Sequence, residues 1–350
     1  MSCLSDSTKI PVLQKEPVQD SLPVFQAPSE CPLVSVIIVN FNGMKLLKNC
    51  VQSLITQTYK NLEIIIVDNA SSDNSVEYLR TSYPESVIIE NSSNLGFAGG
   101  VNTGIRNARG SFIMTLNNDA WADCQCVERL LSATKSDDRI GMCAAKMLFP
   151  DKRINSAGIC ISRSGAAWDR GMFEVDKGQY DKREEIFGPC AGAALYRRSM
   201  FEEIGLFDED FFLYLEDVDL AFRAHLSGWK CIFVPEAVVH HHHGGTAGFM
   251  SDLTIYYGNR NILWWPVKNY PFLTLVLSLP WIIGRTFGVI PYYALRGRGK
   301  VILKSKIDGL SGLPMIWEKR KNIRRIVSEC EINRFLMVLG KINRPLHVDN

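Results

Sequence analysis

A group of carboxylates in residues 205–228, GLFDEDFFLYLEDVDLAFRAHLSG, is the part of the sequence best suited to acid–base chemistry. Apolar and aromatic residues lead directly into Glu216 and Asp217. A helix is predicted from there, because either acid could cap it, Asp219 and Arg223 follow at i and i+4, and a glycine would end it. A carboxylate at the edge of a cleft could take the proton of an attacking hydroxyl. The same pattern also fits the acidic first turn of an ordinary surface helix.

The elements that would position these acids alternate between strand and helix. Apolar runs at 33–39 and 62–67 predict strands buried on both faces, with a one-sided apolar helix between them. Strand, helix, strand implies a parallel sheet, which runs at 87–89 and 111–116 would extend. Ligands bind beyond the carboxyl ends of such strands. The polar residues predicted at that edge are Asn40, Asn42, Asp68, Asn117 and Asp119, although Asp68 could equally cap the next helix.

Two further segments carry weaker ligand-binding signals. Residues 94–104, NLGFAGGVNTG, predict a Gly-rich turn before a helix that ends near Arg109, and the glycines permit either close packing or approach to a ligand. This segment is neither a phosphate loop nor a dinucleotide fingerprint. Four histidines at 240–243 follow a predicted strand at 229–239, and they form either a metal-binding or a solvated tract. Residues 151–188 are Gly-rich and are predicted to be irregular.

The composition predicts a globular chain with a basic C-terminal part. Of 350 residues, 46% are hydrophobic, whereas residues 1–31 contain four prolines among polar residues and are expected to form a flexible tail. From Arg285 onward there are 14 Lys/Arg against 5 Asp/Glu, compared with 25 against 32 before it. The apolar segment just before this basic part favours a membrane surface over nucleic acid. Ten cysteines without paired metal-ligand spacing and the lack of a signal sequence predict a cytoplasmic location.

Five motifs in order resemble those of inverting, nucleotide-sugar-dependent glycosyltransferases of family two, especially their rhamnosyltransferase-like branch. The acidic segment matches G-x-F-D-E-x-F-F-x-Y-x-E-D-x-D-L-x-x-R, which makes Asp217 the catalytic base with Glu216 beside it. The resemblance implies a GT-A fold, an α/β, Rossmann-like, mostly parallel sheet flanked by helices. The donor-binding residues that it implies are Asn40, Asn42, Asp68, Asn94, Gly96, Phe97, Asn102, Asn117 and Arg260.

The resemblance also implies a divalent cation, Mg²⁺ or Mn²⁺, at the end of the strand at 111–116. The segment NND that ends at Asp119 takes the place of the family's Asp-x-Asp motif, and its last carboxylate suits such a cation. Asn117 departs from the pattern because it replaces an acid. The family's metal-binding histidine falls on His241, with His240 and His243 as alternatives.

The function implied is metal-dependent transfer of a sugar, with inversion, from a nucleoside-diphosphate donor to a hydroxyl of a glycan or polyprenyl-linked glycan. Rhamnose from dTDP-rhamnose is the sugar that the resemblance favours. A sugar-phosphate nucleotidyltransferase is an alternative, although the basic Gly-rich loop expected after the first strand is missing. A catalytically silent, membrane-associated glycan-binding protein is another alternative, which Asn117 supports and the Glu216-Asp217 pair opposes.

Three parts are therefore expected: the tail at 1–31, a catalytic domain at 32–250, and a helical, basic, membrane-associating region at 251–350. Prolines and Arg285 interrupt the apolar residues 262–295, which predicts two short pieces lying in the membrane surface rather than a span. The protein is expected to attach peripherally or monotopically to the inner face of the cell membrane. The interface aromatics predicted are Trp264, Trp265, Trp281, Tyr292 and Tyr293, followed by the cations Arg296, Arg298, Lys300, Lys304 and Lys306.

Overall fold

The computed structural model describes residues 31–243 and 251–338, so the predicted tail lies almost wholly outside the described residues. The strands are β1 (Val34–Asn40), β2 (Leu62–Asp68), β3 (Val87–Glu90), β4 (Phe112–Leu116), β5 (Ala120–Ala122), β6 (Ile140–Leu148), β7 (Ile154–Ser156), β8 (Ile159–Ser162), β9 (Ala167–Asp169), β10 (Glu184–Ile186), β11 (Ala193–Arg197), β12 (Lys230–His241) and β13 (Leu336–Met337). The α-helices are α1 (Met44–Ile55), α2 (Ser75–Ser82), α3 (Gly96–Asn107), α4 (Cys126–Ala133), α5 (Arg198–Ile204), α6 (Glu216–Leu226), α7 (Asp252–Asn269), α8 (Phe272–Ala294), α9 (Gly299–Ser311), α10 (Leu313–Lys321) and α11 (Glu329–Asn333).

One large sheet forms the centre of the predicted catalytic domain. Its main path runs β10-β12-β6-β11-β4-β1-β2-β3, with β5 paired to β12 and β7 paired to β6. The strands β3, β2, β1 and β4 are parallel neighbours, and β12 is parallel to β6, whereas β11 lies antiparallel between β4 and β6. The predicted α/β sheet flanked by helices is confirmed, and its parallel half brings several strand ends to one edge.

Helices cover both faces of this sheet because successive residues of a strand point to opposite sides. On β1, Ile37 packs in a cluster that includes Ile105 of α3, whereas Val36 and Ile38 pack in a second cluster that includes Leu47 of α1. Each fully buried aliphatic side chain of this kind contributes about 1.5–3 kcal/mol. The continuous apolar runs of the sequence therefore become the centre of a three-layer core.

The Gly-rich segment is itself helical, which corrects the prediction of a turn ahead of the helix. A side chain at Gly104 would place its Cβ 2.5 Å from Ile37, and one at Gly100 would place it 2.7 Å from Val39. The glycines therefore let α3 lie directly on β1. Gly96 starts the helix with φ +71°, and a Cβ there would collide with the carbonyl of Phe212. The glycines of this segment therefore allow close packing against both the sheet and the loop before α6.

Residues 151–188, predicted to be irregular, contain the four short strands β7 to β10. The hairpin of β8 and β9 gains a third strand from β13, near the C-terminal end of the described chain. Two side chains at the end of α7 hold the same hairpin: the Tyr270 hydroxyl donates to the Ser162 carbonyl and the Trp265 indole to the Gly165 carbonyl, both at 2.8 Å. Strands of three or four residues are too short to give a periodic signal, and their partners are distant in sequence.

The acidic helix is present as α6, but neither predicted acid caps it. Glu216 and Asp217 are its first two residues, and the N-cap is Leu215 in a left-handed conformation with φ 67°. The predicted pair of Asp219 and Arg223 forms at 2.9 Å. Asp219 is fully buried and also lies 2.8 Å from the ammonium of Lys268 on α7. The sequence motif therefore serves two purposes, since its later residues anchor the helix while its first two face solvent-accessible space.

The C-terminal helices differ from the prediction in two ways. α8 runs unbroken through Pro280 and Pro291, so the expected division into two pieces is wrong. Each proline removes one backbone donor, a loss that a helix can tolerate where neighbouring helices support it. Trp264 and Trp265, expected at a membrane interface, are instead buried in the protein, with exposed fractions of 5% and 0%. Both therefore contribute to the core that joins α7 to the catalytic sheet.

Candidate active site

A cleft of about 730 Å³ opens at the carboxyl ends of the parallel strands, between α3, β9 and the loop that precedes α6. The predicted site residues that line it are Asn94, Gly96, Phe97, Asn117, Asp119, Glu216, Asp217 and His241. Its lining, within the described residues, contains no Lys or Arg but five carboxylates, namely Asp119, Asp169, Glu216, Asp217 and Asp252. A diphosphate could enter such an acidic cleft favourably only together with a cation.

Asp217 has both the position and the basicity of a general base. Its two carboxylate oxygens accept hydrogen bonds from the backbone N–H of Val218 at 2.8 Å and of Ala191 at 3.2 Å. Burial raises the pKa of Asp217 to about 6, helped by the charge of Asp169 and opposed by these two hydrogen bonds. A base with this pKa is ionised at neutral pH and still accepts a proton readily.

Glu216, beside Asp217, is almost fully buried. The residue is 5% exposed, and Oε2 has no hydrogen-bond partner among the described residues. Burial and the charge of Asp217 raise the pKa of Glu216 well above its ordinary value, which favours its protonated form. Two adjacent carboxyl groups with separated pKa values can take different roles, one as base and one as hydrogen-bond donor.

The loop before the two acids is strained. Phe212, Tyr214 and Leu215 have φ values of 63°, 68° and 67°, in the left-handed region that residues other than glycine avoid. Each such residue costs about 1–2 kcal/mol. Strain of this kind persists only where the surroundings hold the backbone in place, and it is concentrated at functional sites.

Arg260 and Asn261, which are neighbours on α7, hold this loop. The fully buried Asn261 Nδ2 lies 2.8–3.0 Å from the carbonyl oxygens of Phe211, Leu213 and Tyr214. The Arg260 guanidinium donates to two carbonyls at the start of the same loop, at 2.6 and 3.0 Å. Arg260, predicted to bind the donor, is thus engaged with the protein backbone and is not among the residues that line the cleft.

A second polar corner of the cleft joins Asp119 to His241. Asp119 Oδ1 lies 3.0 Å from His241 Nε2, and Asn117 Nδ2 lies 3.2 Å from the same nitrogen. His241 Nδ1 lies 2.9 Å from Asn155 Oδ1. Both ring nitrogens therefore face an oxygen acceptor, and a cation between Asp119 and Nε2 would favour the tautomer with its proton on Nδ1. No set of three His, Cys, Asp or Glu residues suited to a metal occurs in the described chain, so a cation here would need ligands from substrate or water.

The alternation of β12 separates the histidines. His241 points into the cleft, whereas His240 points away and stacks on Trp121, with ring centroids 5.3 Å apart. His243 also lines the cleft, 5.4 Å from the His241 ring. Burial and the neighbouring His241 lower the pKa of His243 to about 4, so its imidazole is neutral. Of the three histidines considered from the sequence, two therefore reach the cleft.

Comparison with known proteins identifies this arrangement. The pattern described as Glycosyl transferase family 2 matches residues 35–205. The part of the chain that contains residues 35–205 belongs to glycosyltransferase family 2. The N-acetylglucosaminyl-diphospho-decaprenol L-rhamnosyltransferase of Mycobacterium tuberculosis is 24% identical over 265 residues, which cover 67% of this chain and 86% of that relative.

Two solved glycosyltransferases share the fold. The mannosyltransferase PcManGT of Pyrobaculum calidifontis, in complex with GDP-Man and Mn²⁺, has a TM-score of 0.50 and 17% identity, covering 86% of this chain and 92% of the other. GalNAc-T7 with UDP, GalNAc and Mn²⁺ has a TM-score of 0.57 and 16% identity, covering 84% of this chain and 58% of the other. The GT-A-type fold is confirmed, and as a family 2 glycosyltransferase the protein transfers a sugar from a nucleotide donor.

Three donor-binding residues predicted for this glycosyltransferase are not among those that line the cleft, since Asn40 and Asp68 are buried and Asn42 is exposed outside the lining. Asp68 accepts hydrogen bonds from Asn40 Nδ2 at 2.9 Å and from the Ser71 hydroxyl at 2.6 Å. Asn42 Oδ1 accepts from the backbone N–H of Ser72 at 2.7 Å. These contacts tie the end of β1 to the end of β2. Asp68 does not cap α2, whose N-cap is residue 74.

The Gly-rich helix divides its predicted donor residues between cleft and core. Asn94 accepts from the backbone N–H of Gly96 at 2.9 Å, and both line the cleft with Phe97. Asn102 is instead 1% exposed, and its amide exchanges hydrogen bonds of 2.8 and 3.1 Å with the backbone of Phe207. Asn102 therefore joins α3 to the acidic segment and does not face a ligand.

Sequence reasoning missed three residues of the site. Asp169 lines the cleft, and its Oδ1 has no hydrogen-bond partner among the described residues. Burial raises the pKa of Asp169, whereas hydrogen bonding and the nearby His241 oppose the rise. Asn155 orients His241, and both residues lie in the segment predicted to be irregular, which gave no signal. Asn261 directly follows Arg260, which received the functional assignment in the sequence.

Proposed function

We propose that this glycosyltransferase transfers a hexose, with inversion, from a nucleoside-diphosphate donor to a hydroxyl of a glycan or lipid-linked glycan. The carboxylate of Asp217, inside the cleft and with a pKa of about 6, is the observation that carries this proposal. Rhamnose from dTDP-rhamnose is the favoured donor sugar. The mycobacterial relative, named as an L-rhamnosyltransferase, supports that choice.

The mechanism proposed is a single displacement. The acceptor hydroxyl gives its proton to Asp217 while its oxygen forms a bond to the anomeric carbon from the face opposite the diphosphate. The bond from the anomeric carbon to the diphosphate oxygen breaks, and its electron pair leaves with the nucleoside diphosphate. Burial and the charge of Asp217 raise the pKa of Glu216 well above its ordinary value, and in its protonated form Glu216 can donate a hydrogen bond to substrate. Proton transfer to a placed base is worth about 10²–10⁴ in rate.

Asp119 and His241 are the residues that would hold a divalent cation, Mg²⁺ or Mn²⁺. The fit is supported by the distance of 3.0 Å between His241 Nε2 and the Asp119 carboxylate and by the acidic lining of the cleft. When bound, such a cation neutralises the charge that develops on a leaving diphosphate. Asn155, whose Oδ1 would accept from Nδ1, suits the tautomer that would present Nε2 to the cation. Asn117 Nδ2 lies 3.2 Å from His241 Nε2. Asn117, which replaces an acid, can therefore still contact His241 as an uncharged partner.

We assign the donor nucleotide to the part of the cleft lined by Asn94, Gly96, Phe97 and Asn117. The other predicted donor residues support that surface from behind. Asn40, Asn42 and Asp68 fix the strand ends, Asn102 fixes α3, and Arg260 fixes the strained loop.

We propose attachment to the cytoplasmic face of a membrane through α8. A surface helix of a water-soluble protein turns its polar side to solvent and its apolar side to the core. On α8, by contrast, apolar side chains face outward and hydroxyl side chains face the protein. Its fully outward side chains are apolar, namely Phe272, Leu273, Leu277, Ile283 and Phe287, each more than half exposed. Its buried residues include the hydroxyl side chains Thr274, Ser278 and Thr286. A bilayer would cover the apolar side and leave the hydroxyl side against the protein.

Attachment in the surface of the membrane fits the packing of α8 better than a span. Among the described helices, α8 has the length and hydropathy that a span requires. However, Leu275 and Ile282 belong to the same core cluster as Trp264 and Trp265 of α7, so one side of the helix is already committed to the protein. Arg285 lies partly buried, with Nε shielded from solvent, which keeps its charge out of the exposed apolar side.

A donor panel tests the proposed activity. The purified full chain is incubated with dTDP-rhamnose, UDP-sugars and GDP-sugars in the presence of Mn²⁺ or Mg²⁺, and release of nucleoside diphosphate is measured with and without a lipid-linked glycan acceptor. Release from dTDP-rhamnose that exceeds release from the other donors is expected. Turnover of another donor alone would overturn the rhamnose assignment, and release from no donor would overturn the proposed function.

A further inference from the structure

The turn between α8 and α9 collects exposed positive charge. Arg296, Arg298, Lys300 and Lys304 are all exposed. Two carboxylates face this group, because Asp252 pairs with Arg298, and Asp308 pairs with Lys304 at 2.7 Å. Arg296 and Lys300 have no ion-pair partner in the described part of the chain. The turn therefore has two cations in excess.

The backbone of the turn adds to this positive field. The N-cap of α9 is Arg298, whose side chain makes no capping hydrogen bond, so the first N–H groups of a 13-residue helix remain available. The Arg296 guanidinium lies over the ring of Tyr292, 3.7 Å from its centroid, and donates to the Tyr292 carbonyl at 3.2 Å. Its position beside α8 is therefore defined. Basic side chains that converge on a helix start make a favourable site for phosphate.

The position of the turn connects the cleft to the apolar side of α8. Asp252, the partner of Arg298, lines the cleft. Thr254, on the same turn of α7, lies within 3.2 Å of the Tyr214 hydroxyl in the strained loop before Asp217. In the other direction the turn continues directly from the last residues of α8. Asp217, the cations of the turn and the apolar side of α8 therefore follow one another in this order along the molecule.

We propose that this turn binds the phosphate groups of a lipid-linked acceptor, an inference that rests on the function proposed above. A molecule with a sugar hydroxyl, a diphosphate and a lipid chain in series matches the three features in their order. The sugar hydroxyl reaches Asp217, the diphosphate meets Arg296, Lys300 and the start of α9, and the chain lies along the exposed side of α8. A glycan without a lipid would use neither the cations nor the apolar surface.

The test compares two acceptors that carry the same sugar, one as a short prenyl diphosphate and one as a neutral alkyl glycoside. The variant Arg296→Ala/Lys300→Ala leaves the Arg298–Asp252 pair intact. Its KM for the diphosphate acceptor should rise about tenfold to thirtyfold, as expected for the loss of two cation contacts with phosphate, while the KM for the glycoside stays unchanged. The control Lys177→Ala/Lys182→Ala removes the same charge from an exposed loop outside the turn and should change neither KM.

Binding of the prenyl diphosphate without sugar, measured in neutral detergent micelles, is followed in parallel and needs no turnover. The wild type should bind it about tenfold or more tightly than the double variant. Equal KM values of the wild type for the two acceptors, an equal rise for both in the variant, or unchanged prenyl diphosphate binding would each overturn the inference. A defect seen only with anionic vesicles would instead assign the turn to bulk lipid headgroups and also overturn it. Absence of donor turnover in the wild type counts against the proposed function alone.

Discussion

Replacing Asn261 with alanine should impair catalysis more than it destabilises the protein. Asn261 lies on α7, outside the cleft, yet its amide contacts three carbonyls of the loop that ends at Glu216 and Asp217. The change Asn261→Ala removes these contacts and takes the side-chain donor from the carbonyls of Leu213 and Tyr214, whereas the Phe211 carbonyl still accepts from Arg260. The loop, rather than the whole fold, is the part that responds.

The expected loss of folding free energy in Asn261→Ala follows from two opposing contributions. The amide has two N–H donors, which the three carbonyls share, so at about 1 kcal/mol per hydrogen bond it stabilises the loop by about 2 kcal/mol. Three left-handed residues at about 1–2 kcal/mol each store about 3–6 kcal/mol of strain. Without the amide the loop relaxes, so the released strain limits the loss of folding free energy to about 2 kcal/mol or less. A displacement of the base by about 1 Å lowers the rate about 10²-fold.

The assay measures kcat on the preferred donor together with the free energy of unfolding in urea. The control is Asn259→Ala on the same helix, where the amide, 7% exposed, donates within α7 to the Ile255 carbonyl at 3.0 Å. The control should keep kcat within about threefold of the wild type even if it is equally destabilised. A kcat of Asn261→Ala within threefold of the wild type, or an equal fall in both variants, would refute the reasoning.

Three further predictions concern the base, the cation and the membrane. Asp217→Asn should lower kcat by about 10²–10⁴, and wild-type kcat/KM should rise with pH until about 6, because only the ionised carboxylate accepts the proton; a flat wild-type profile through that range would contradict the assignment. His241→Ala should weaken Mn²⁺ binding, measured by titration calorimetry, at least about tenfold, whereas His242→Ala should not; equal effects would contradict the register of β12. Leu277→Glu/Phe287→Glu should lower sedimentation with vesicles about tenfold or more without changing kcat on a soluble acceptor, and unchanged sedimentation would exclude α8 as the attachment site.

The parallel half of the sheet could be predicted from the sequence because its signals are local. The runs at 33–39 and 62–67 are apolar on both faces, and each is followed by polar residues at the strand end. A local rule also separates His240 from His241. Successive side chains of a strand point to opposite faces, and β12 continues to His241.

The remaining features depend on contacts between residues far apart in sequence. The left-handed Leu215 replaces the expected acidic cap because Asn261 on another helix holds the loop, and no local preference predicts that conformation. The strand that carries Asp169 has three residues, and its position comes from pairing with β8. Pro280 and Pro291 would break an isolated helix, but the packing of α8 against α9 and α7 supports a continuous one. In each case tertiary contacts override the local preference.

The C-terminal region helps to build the cleft, in addition to the membrane attachment proposed for it. α7 holds the strained loop through Asn261, and its Lys268 lies within 2.8 Å of the carboxylates of Asp208 and Asp219, so two buried acids of the catalytic segment depend on it. Removing one partner of such a buried ion pair costs about 3–5 kcal/mol. The strand β13 completes the small sheet that carries Asp169 into the cleft. Because the same helices present the exposed side of α8, contact with a membrane would orient the cleft itself, and Asp217 would face an acceptor held at that surface.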